Sequence, residues 1–140
     1  MTAIDAATPL GARATERLDE DLVVWLTTVD PTGTPQPTPV WQLRSGDDVV
    51  IVSEPRKAKL RNASANPRAA LHFNATATGW DVQVLTGRLV LDPGGLSDDE
   101  RSRYDAKYSR SMADLGMSPS QFHAAYSAVL RFTPERLRGF

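Results

Sequence analysis

The stretch Ser53-Glu54-Pro55-Arg56-Lys57-Ala58-Lys59-Leu60-Arg61-Asn62-Ala63-Ser64-Ala65-Asn66-Pro67-Arg68 marks a change from strand to helix under a concentration of positive charge. Val49-Val50-Ile51-Val52 precede it, four β-branched residues that predict a buried strand, and Pro55 suits the first turn of a helix. Leu60 and Ala63 give that helix an apolar side, and Asn66-Pro67 ends it. Five of the sixteen basic residues fall here against one acid, including Lys57 and Lys59, two of only three lysines. A helix N-terminus with free N–H groups, a hydroxyl at Ser53 and two ammonium groups form a site for a phosphate or carboxylate. The competing reading is a solvated basic helix face. Lys57 and Arg61 are four apart and share a helix face, whereas Lys59 points elsewhere, so both lysines meet one anion only if Lys57 still precedes the helix.

Upstream, residues 1–12 read as a flexible tail. Thr15 is placed to cap a short helix over 16–21, and the run Leu22 to Val29 predicts a strand. Asp30-Pro31-Thr32-Gly33 turns the chain into a second strand over 34–44, with prolines at 35, 37 and 39. Prolines two apart delete donors from one strand edge only, so this is an edge strand, protected against aggregation or left open for a flat ligand. Thr38 to Trp41 lie on that open edge.

Downstream, Ser45-Gly46-Asp47-Asp48 turns into the third strand, and strands are expected over 68–74, 80–91 and 126–133. In the fifth, Val82 and Val84 share one face while Leu89 and Leu91 have the other parity, so Gly87 marks a bulge or corner. Ser97-Asp98-Asp99-Glu100 and Ser118-Pro119-Ser120-Gln121 are capping boxes that start two helices. Tyr104, Tyr108 and Met112, four apart, read as a core stripe on the first of these.

At 140 residues the chain predicts one mainly β domain over 13–140 with short flanking helices. A net charge of −1 argues against a nucleic-acid binder, and zero cysteines exclude disulfides, thiolate catalysis and cysteine-held metal clusters. No signal peptide or membrane-length apolar run is present, which predicts a cytoplasmic protein with no membrane partner. His72 and His123 have no partner at ligand spacing, so no metal is expected. Without a nucleophile elbow, Walker loop or dinucleotide fingerprint, and with no catalytic side chain identifiable, any enzymatic chemistry would fall to a bound cofactor.

The motifs Thr-Val-Asp-x-x-Gly-x-Pro at 28–35, Pro-Val-Trp at 39–41, Glu-Pro-Arg-x-Ala-Lys-x-Arg-Asn at 54–62 and Asn-Pro-Arg at 66–68 resemble the pyridoxamine 5'-phosphate oxidase-like split β-barrel family. They look most like its deazaflavin (coenzyme F420)-dependent oxidoreductase class B branch. The resemblance implies an α+β fold built on a six-stranded antiparallel split β-barrel, the FMN-binding split barrel type, assembled as a homodimer with a flavin or deazaflavin in each interface groove. It implies that Lys57 and Lys59 bind the cofactor phosphate, helped by Ser53, Arg61 and Asn62, and that the ring lies along Thr38, Pro39, Val40 and Trp41. Trp80, Gln83 and Phe140 are further candidates, reaching the partner's site. The implied activity is hydride transfer from coenzyme F420 to an electron-poor small-molecule acceptor. Its alternatives are an FMN-binding oxidoreductase of the same fold and a non-catalytic deazaflavin carrier.

Overall fold

The computed structural model describes residues 3–140. One antiparallel sheet of seven strands carries four helices, in the chain order α1 (Pro9–Glu20), β1 (Val24–Val29), β2 (Pro35–Val40), β3 (Leu43–Ser45), β4 (Asp48–Ser53), α2 (Ala58–Ala65), β5 (Arg68–His72), β6 (Gln83–Leu91), α3 (Asp98–Asp114), α4 (Pro119–Ala125) and β7 (Ala128–Gly139). The strand expected over 34–44 is broken at Trp41 and Gln42 into β2 and β3, which makes the strand count seven rather than six. Within the sheet the order is β2-β1-β5-β6-β7-β4-β3. The two halves of that broken strand therefore lie at opposite edges.

This placement dictates the shape. Six spacings between seven strands amount to roughly 29 Å across a flat sheet. Val40 and Leu43 are three Cα steps apart, at most about 11 Å. The sheet must curl until its edges nearly meet. Among the described residues β2 pairs only with β1 and β3 only with β4, so the barrel stays split along this seam.

Side chains from the helices hold the seam. The Tyr108 hydroxyl accepts from Gln42 N–H at 2.8 Å and donates to the Leu22 carbonyl at 2.6 Å. Gln42 is fully buried, and its Nε2 donates to the Leu18 carbonyl at 2.7 Å. Lys107 Nζ donates to the carbonyls of Leu18 at 2.8 Å and Gln42 at 3.0 Å. Burial pushes the Lys107 ammonium down to about 8.

Strand β4 is buried on both faces, as its β-branched run predicts. Val49 and Ile51 point into the barrel core with Leu26, Leu71, Leu85 and Phe132, while Val50 and Val52 have the opposite parity. They pack under α3 and α4 with Tyr104, Tyr108, Met112 and Phe122. Both capping boxes form, from Ser97 with Glu100 and from Ser118 with Gln121. The register of β6 against β7 shifts between Thr86 and Gly87. A Cβ at Gly87 would lie 2.1 Å from the Thr133 carbonyl oxygen, so only glycine fits this bulge.

Two helix starts differ from expectation. Helix α1 begins at Pro9, capped by Thr8, whose oxygen accepts from Gly11 N–H, so residues 9–12 are helical rather than tail. Residues 1 and 2 of the expected tail lie outside the described residues. Thr15 instead bonds back to the Gly11 carbonyl. Helix α2 begins at Ala58, and Pro55 falls in the preceding turn, where Arg56 has φ +68°. Among the described residues no helix is long and apolar enough to cross a membrane.

Replacing Tyr108 by Phe leaves the buried Gln42 N–H without a partner at the seam, and should lower stability by about 1–3 kcal/mol in urea unfolding. An unchanged midpoint would show that the seam does not depend on this hydroxyl.

Candidate functional site

A pocket of about 350 Å³ opens where the end of β2 meets the end of β4. Its lining includes Pro39, Val40 and Trp41 from the end of β2 and the seam, Val52, Ser53 and Glu54 from the end of β4, and Lys57 and Lys59. Three aromatic residues of the C-terminal helical region, Tyr104, Phe122 and Tyr126, also line it, with Leu115. A second groove shares Lys57 and Lys59 and continues past Thr38, Gln36, Arg61 and Asn62.

The proline spacing explains the open side. Pro35, Pro37 and Pro39 stand opposite Val29, Thr27 and Trp25 of β1, yet none of them can donate. The ladder to β1 must run through Gln36, Thr38 and Val40, and the prolines line the free edge of the sheet. The edge expected from the sequence is present, and Pro39 lies against the pocket.

The basic end is set by the turn before α2. Lys57 is the N-cap residue, in extended conformation, and no side chain caps this helix. It thus precedes the helix, which is the condition under which both lysines reach one place. Arg61 Nη1 donates to the Arg56 carbonyl at 2.7 Å and so closes the turn in which Arg56 is left-handed. Lys57 Nζ lies 3.2 Å from Glu54 Oε2, both side chains being about half exposed. Lys59 is half-buried, and that burial, with Lys57 nearby, holds its ammonium below the ordinary lysine value. Positive charge is thereby concentrated, with Glu54 beside Lys57 and Asp30 in the adjoining groove as the carboxylates that oppose it.

Not every residue carried over from the resemblance has a free group to offer. The Ser53 hydroxyl is buried and donates to the Glu54 carbonyl at 2.8 Å. Asn62 is buried and its Nδ2 donates to Thr28 Oγ1 at 3.1 Å, fastening α2 to β1. Gln83 is buried between Arg17 and Asp81. Trp80 lines neither the pocket nor the groove; it is exposed and meets the edge of exposed Phe140 at 5.6 Å. His72 stacks on Trp25 and His123 Nε2 meets Asp105 Oδ1 at 2.7 Å, a partner that sequence spacing does not reveal. The aromatic wall is absent from the sequence prediction, which treats Tyr104 as core. Its residues, spread over 104–126, converge only in three dimensions.

The family model for pyridoxamine 5'-phosphate oxidase matches residues 10–140. The chain belongs to this family. No protein of curated function matches it. Among solved structures, an F420 reductase superposes with a TM-score of 0.66 at 22% identity, covering 88% of this chain and 94% of its own. A FAD-binding protein from Mesorhizobium loti gives 0.67 at 18% identity, over 90% and 88%. The haem storage protein from Vibrio cholerae gives 0.67 at 14%, over 94% and 95%. At these identities the likeness is one of fold. Differently described proteins thus share this scaffold, and the chemistry must be read from the pocket.

Replacing Glu54 by Gln removes the acid that competes for Lys57. Inorganic phosphate should then bind about two- to fivefold tighter in a phosphorus NMR titration. Because a lysine binds an anion only while protonated, affinity should fall at a pH below the ordinary lysine range, and Lys59→Gln should remove that alkaline step. Phosphate binding indifferent to both changes would place the anion elsewhere.

Proposed function

We propose that the protein is a cytoplasmic coenzyme F420-dependent oxidoreductase acting on an electron-poor small-molecule acceptor. One observation carries this reading: an aromatic-lined pocket and a groove that contains Arg61 and Asp30 both have Lys57 and Lys59 in their lining. A deazaflavin coenzyme consists of a flat ring, a phosphate and an acidic tail. The pocket suits the ring, the lysine pair and the uncapped start of α2 suit the phosphate, and Arg61 in the groove suits the tail. FMN ends at its phosphate and would leave the groove unused. Arg68 does not contribute, since it is paired with Glu135 at 2.8 Å.

In this reading the chain's own residues bind, orient and exclude water. Pro39 and Trp41 bound the ring plane, and the Trp41 ring is itself held by stacking on Tyr108 at 4.7 Å and Phe122 at 5.2 Å. Lys57 and Lys59 fix the anion, which sets how far the ring reaches into the pocket. The reduced coenzyme, when bound, would supply a hydride. No side chain is assigned to the transfer itself. An FMN-binding oxidoreductase is the second reading, favoured by the likeness to a FAD-binding protein. Haem is less well suited, since neither histidine lines the pocket or the groove. A carrier without turnover is the third.

Exposed Trp80 and Phe140, in edge contact, with exposed Leu22 and Val23, support a homodimer. Light scattering at micromolar concentration should give twice the chain mass, and a monomer that binds coenzyme fully would contradict it.

Fluorescence titration with coenzyme F420 and with FMN tests the function directly. Coenzyme F420 should bind more tightly, and Lys57→Ala or Lys59→Ala should each weaken it roughly ten- to a hundredfold. A yellow protein with an FMN spectrum would establish the second reading. Tight coenzyme binding without turnover on a panel of acceptors would establish the carrier.

A further inference from the structure

Helices α3 and α4 meet through two neighbouring pairs of residues of different kinds. Tyr104 of α3 and Phe122 of α4 are buried, stack at 6.0 Å and both line the pocket. The next residue on each helix makes a polar contact, His123 Nε2 lying 2.7 Å from Asp105 Oδ1. A carboxylate only accepts, so the imidazole donates through Nε2. Among the described residues this is the one side-chain hydrogen bond that joins α4 to α3. The His123 side chain is 8% exposed, and its ring meets Tyr104 at 5.7 Å and Phe122 at 5.4 Å, both in edge contact.

Stacked rings alone leave a short helix free to slide and turn, because offset arrangements over a range of separations are similarly favourable. A hydrogen bond is directional. One residue along a helix is a rotation of about 100°, so fixing His123 on Asp105 also fixes the direction in which Phe122 leaves the seven-residue α4. That direction matters to the pocket. Phe122 stacks on Trp41 at 5.2 Å and on Tyr126 at 4.4 Å, and all three belong to its lining. The capping box of α4, Ser118 with Gln121, is internal to the helix and cannot set its rotation. Nor does the chain entering it, which passes through Gly116 in left-handed conformation, φ +74°.

We propose that Asp105 is a positioning residue that acts through His123 to hold Phe122 on Trp41, and so fixes the aromatic lining of the pocket. Neither Asp105 nor His123 lines the pocket itself. The inference rests on the proposed function only in taking this lining as the place of the ring. It gives a role there to a polar pair that stands outside the cavity, and explains why a histidine rather than an apolar residue follows Phe122.

The test uses the full chain without ligand, with 5-fluorotryptophan at its three tryptophans, read by fluorine NMR. Loss of a signal in Trp41→Phe assigns Trp41. The other two have ring partners on different elements, Trp25 on His72 and Trp80 on Phe140. Asp105→Ala should shift or broaden the Trp41 resonance and leave those of Trp25 and Trp80 in place. The Tyr126 amide, which donates to the Phe122 carbonyl at 2.8 Å, should exchange with solvent about tenfold faster. Asp105→Asn keeps an oxygen that accepts from His123, and should restore both readouts. A Trp41 resonance unmoved by Asp105→Ala, or moved together with the other two, would overturn the proposal. So would an Asp105→Asn protein that behaves like Asp105→Ala. Because no coenzyme is present, failure here leaves the coenzyme reading standing, and a failed coenzyme titration leaves this one standing.

Discussion

Two residues, Trp41 and Gln42, join strands that lie at opposite edges of a seven-stranded sheet. That short link is the constraint from which the rest of the architecture follows. β2 and β4 are separated by four strands in the sheet order, yet the ends of both line one pocket. A flat sheet could not bring them together. Closure also explains why a glutamine is buried between helix and seam, where its amide bridges to the end of α1. The linker is thus both the hinge of the fold and, through Trp41, a wall of the pocket.

The charge at the pocket's end depends on a different local device. A left-handed residue at Arg56 reverses the chain after β4, and Arg61, one helical turn further on, closes the reversal by bonding to its carbonyl. Non-glycine residues adopt this conformation at a cost. Here it places Lys57 ahead of the helix and Lys59 within its first turn, so that two like charges face one space. Glu54 tempers their repulsion without cancelling it.

Features written in neighbouring residues were legible in the sequence, and features that depend on closure were not. Alternate prolines specify an edge wherever they occur, Gly87 marks a bulge because no Cβ fits, and the two capping boxes are complete within four residues each. By contrast, nothing local reveals that 34–44 breaks at the seam, since Trp41 and Gln42 are unremarkable within a strand. Pro55 and Thr15 each suit a helix start, but Lys57 and Thr8 occupy those positions because the turn and the packing of α1 decide them. The site was read in the same way. The lysines and the strand edge follow from spacing. Ser53 and Asn62 match a motif, yet their donors are engaged inside the protein. Tyr104 reads as core and is core, fully buried beneath the pocket it helps to line.

Helices α1, α3 and α4 each begin with a hydroxyl that accepts from the first turn, whereas α2 begins with a lysine that cannot. A serine or aspartate at position 57 would make this eight-residue helix firmer by about 1 kcal/mol. It would also fill the space in front of the helix with the protein's own oxygen. In the proposed reading an anion arriving there would act as the cap that the sequence withholds, which would couple occupancy to helix order. The first-turn amides of α2 would then be the place where slowed hydrogen exchange registers binding, more than in the inner strands β1, β5, β6, β7 and β4, which are paired on both sides.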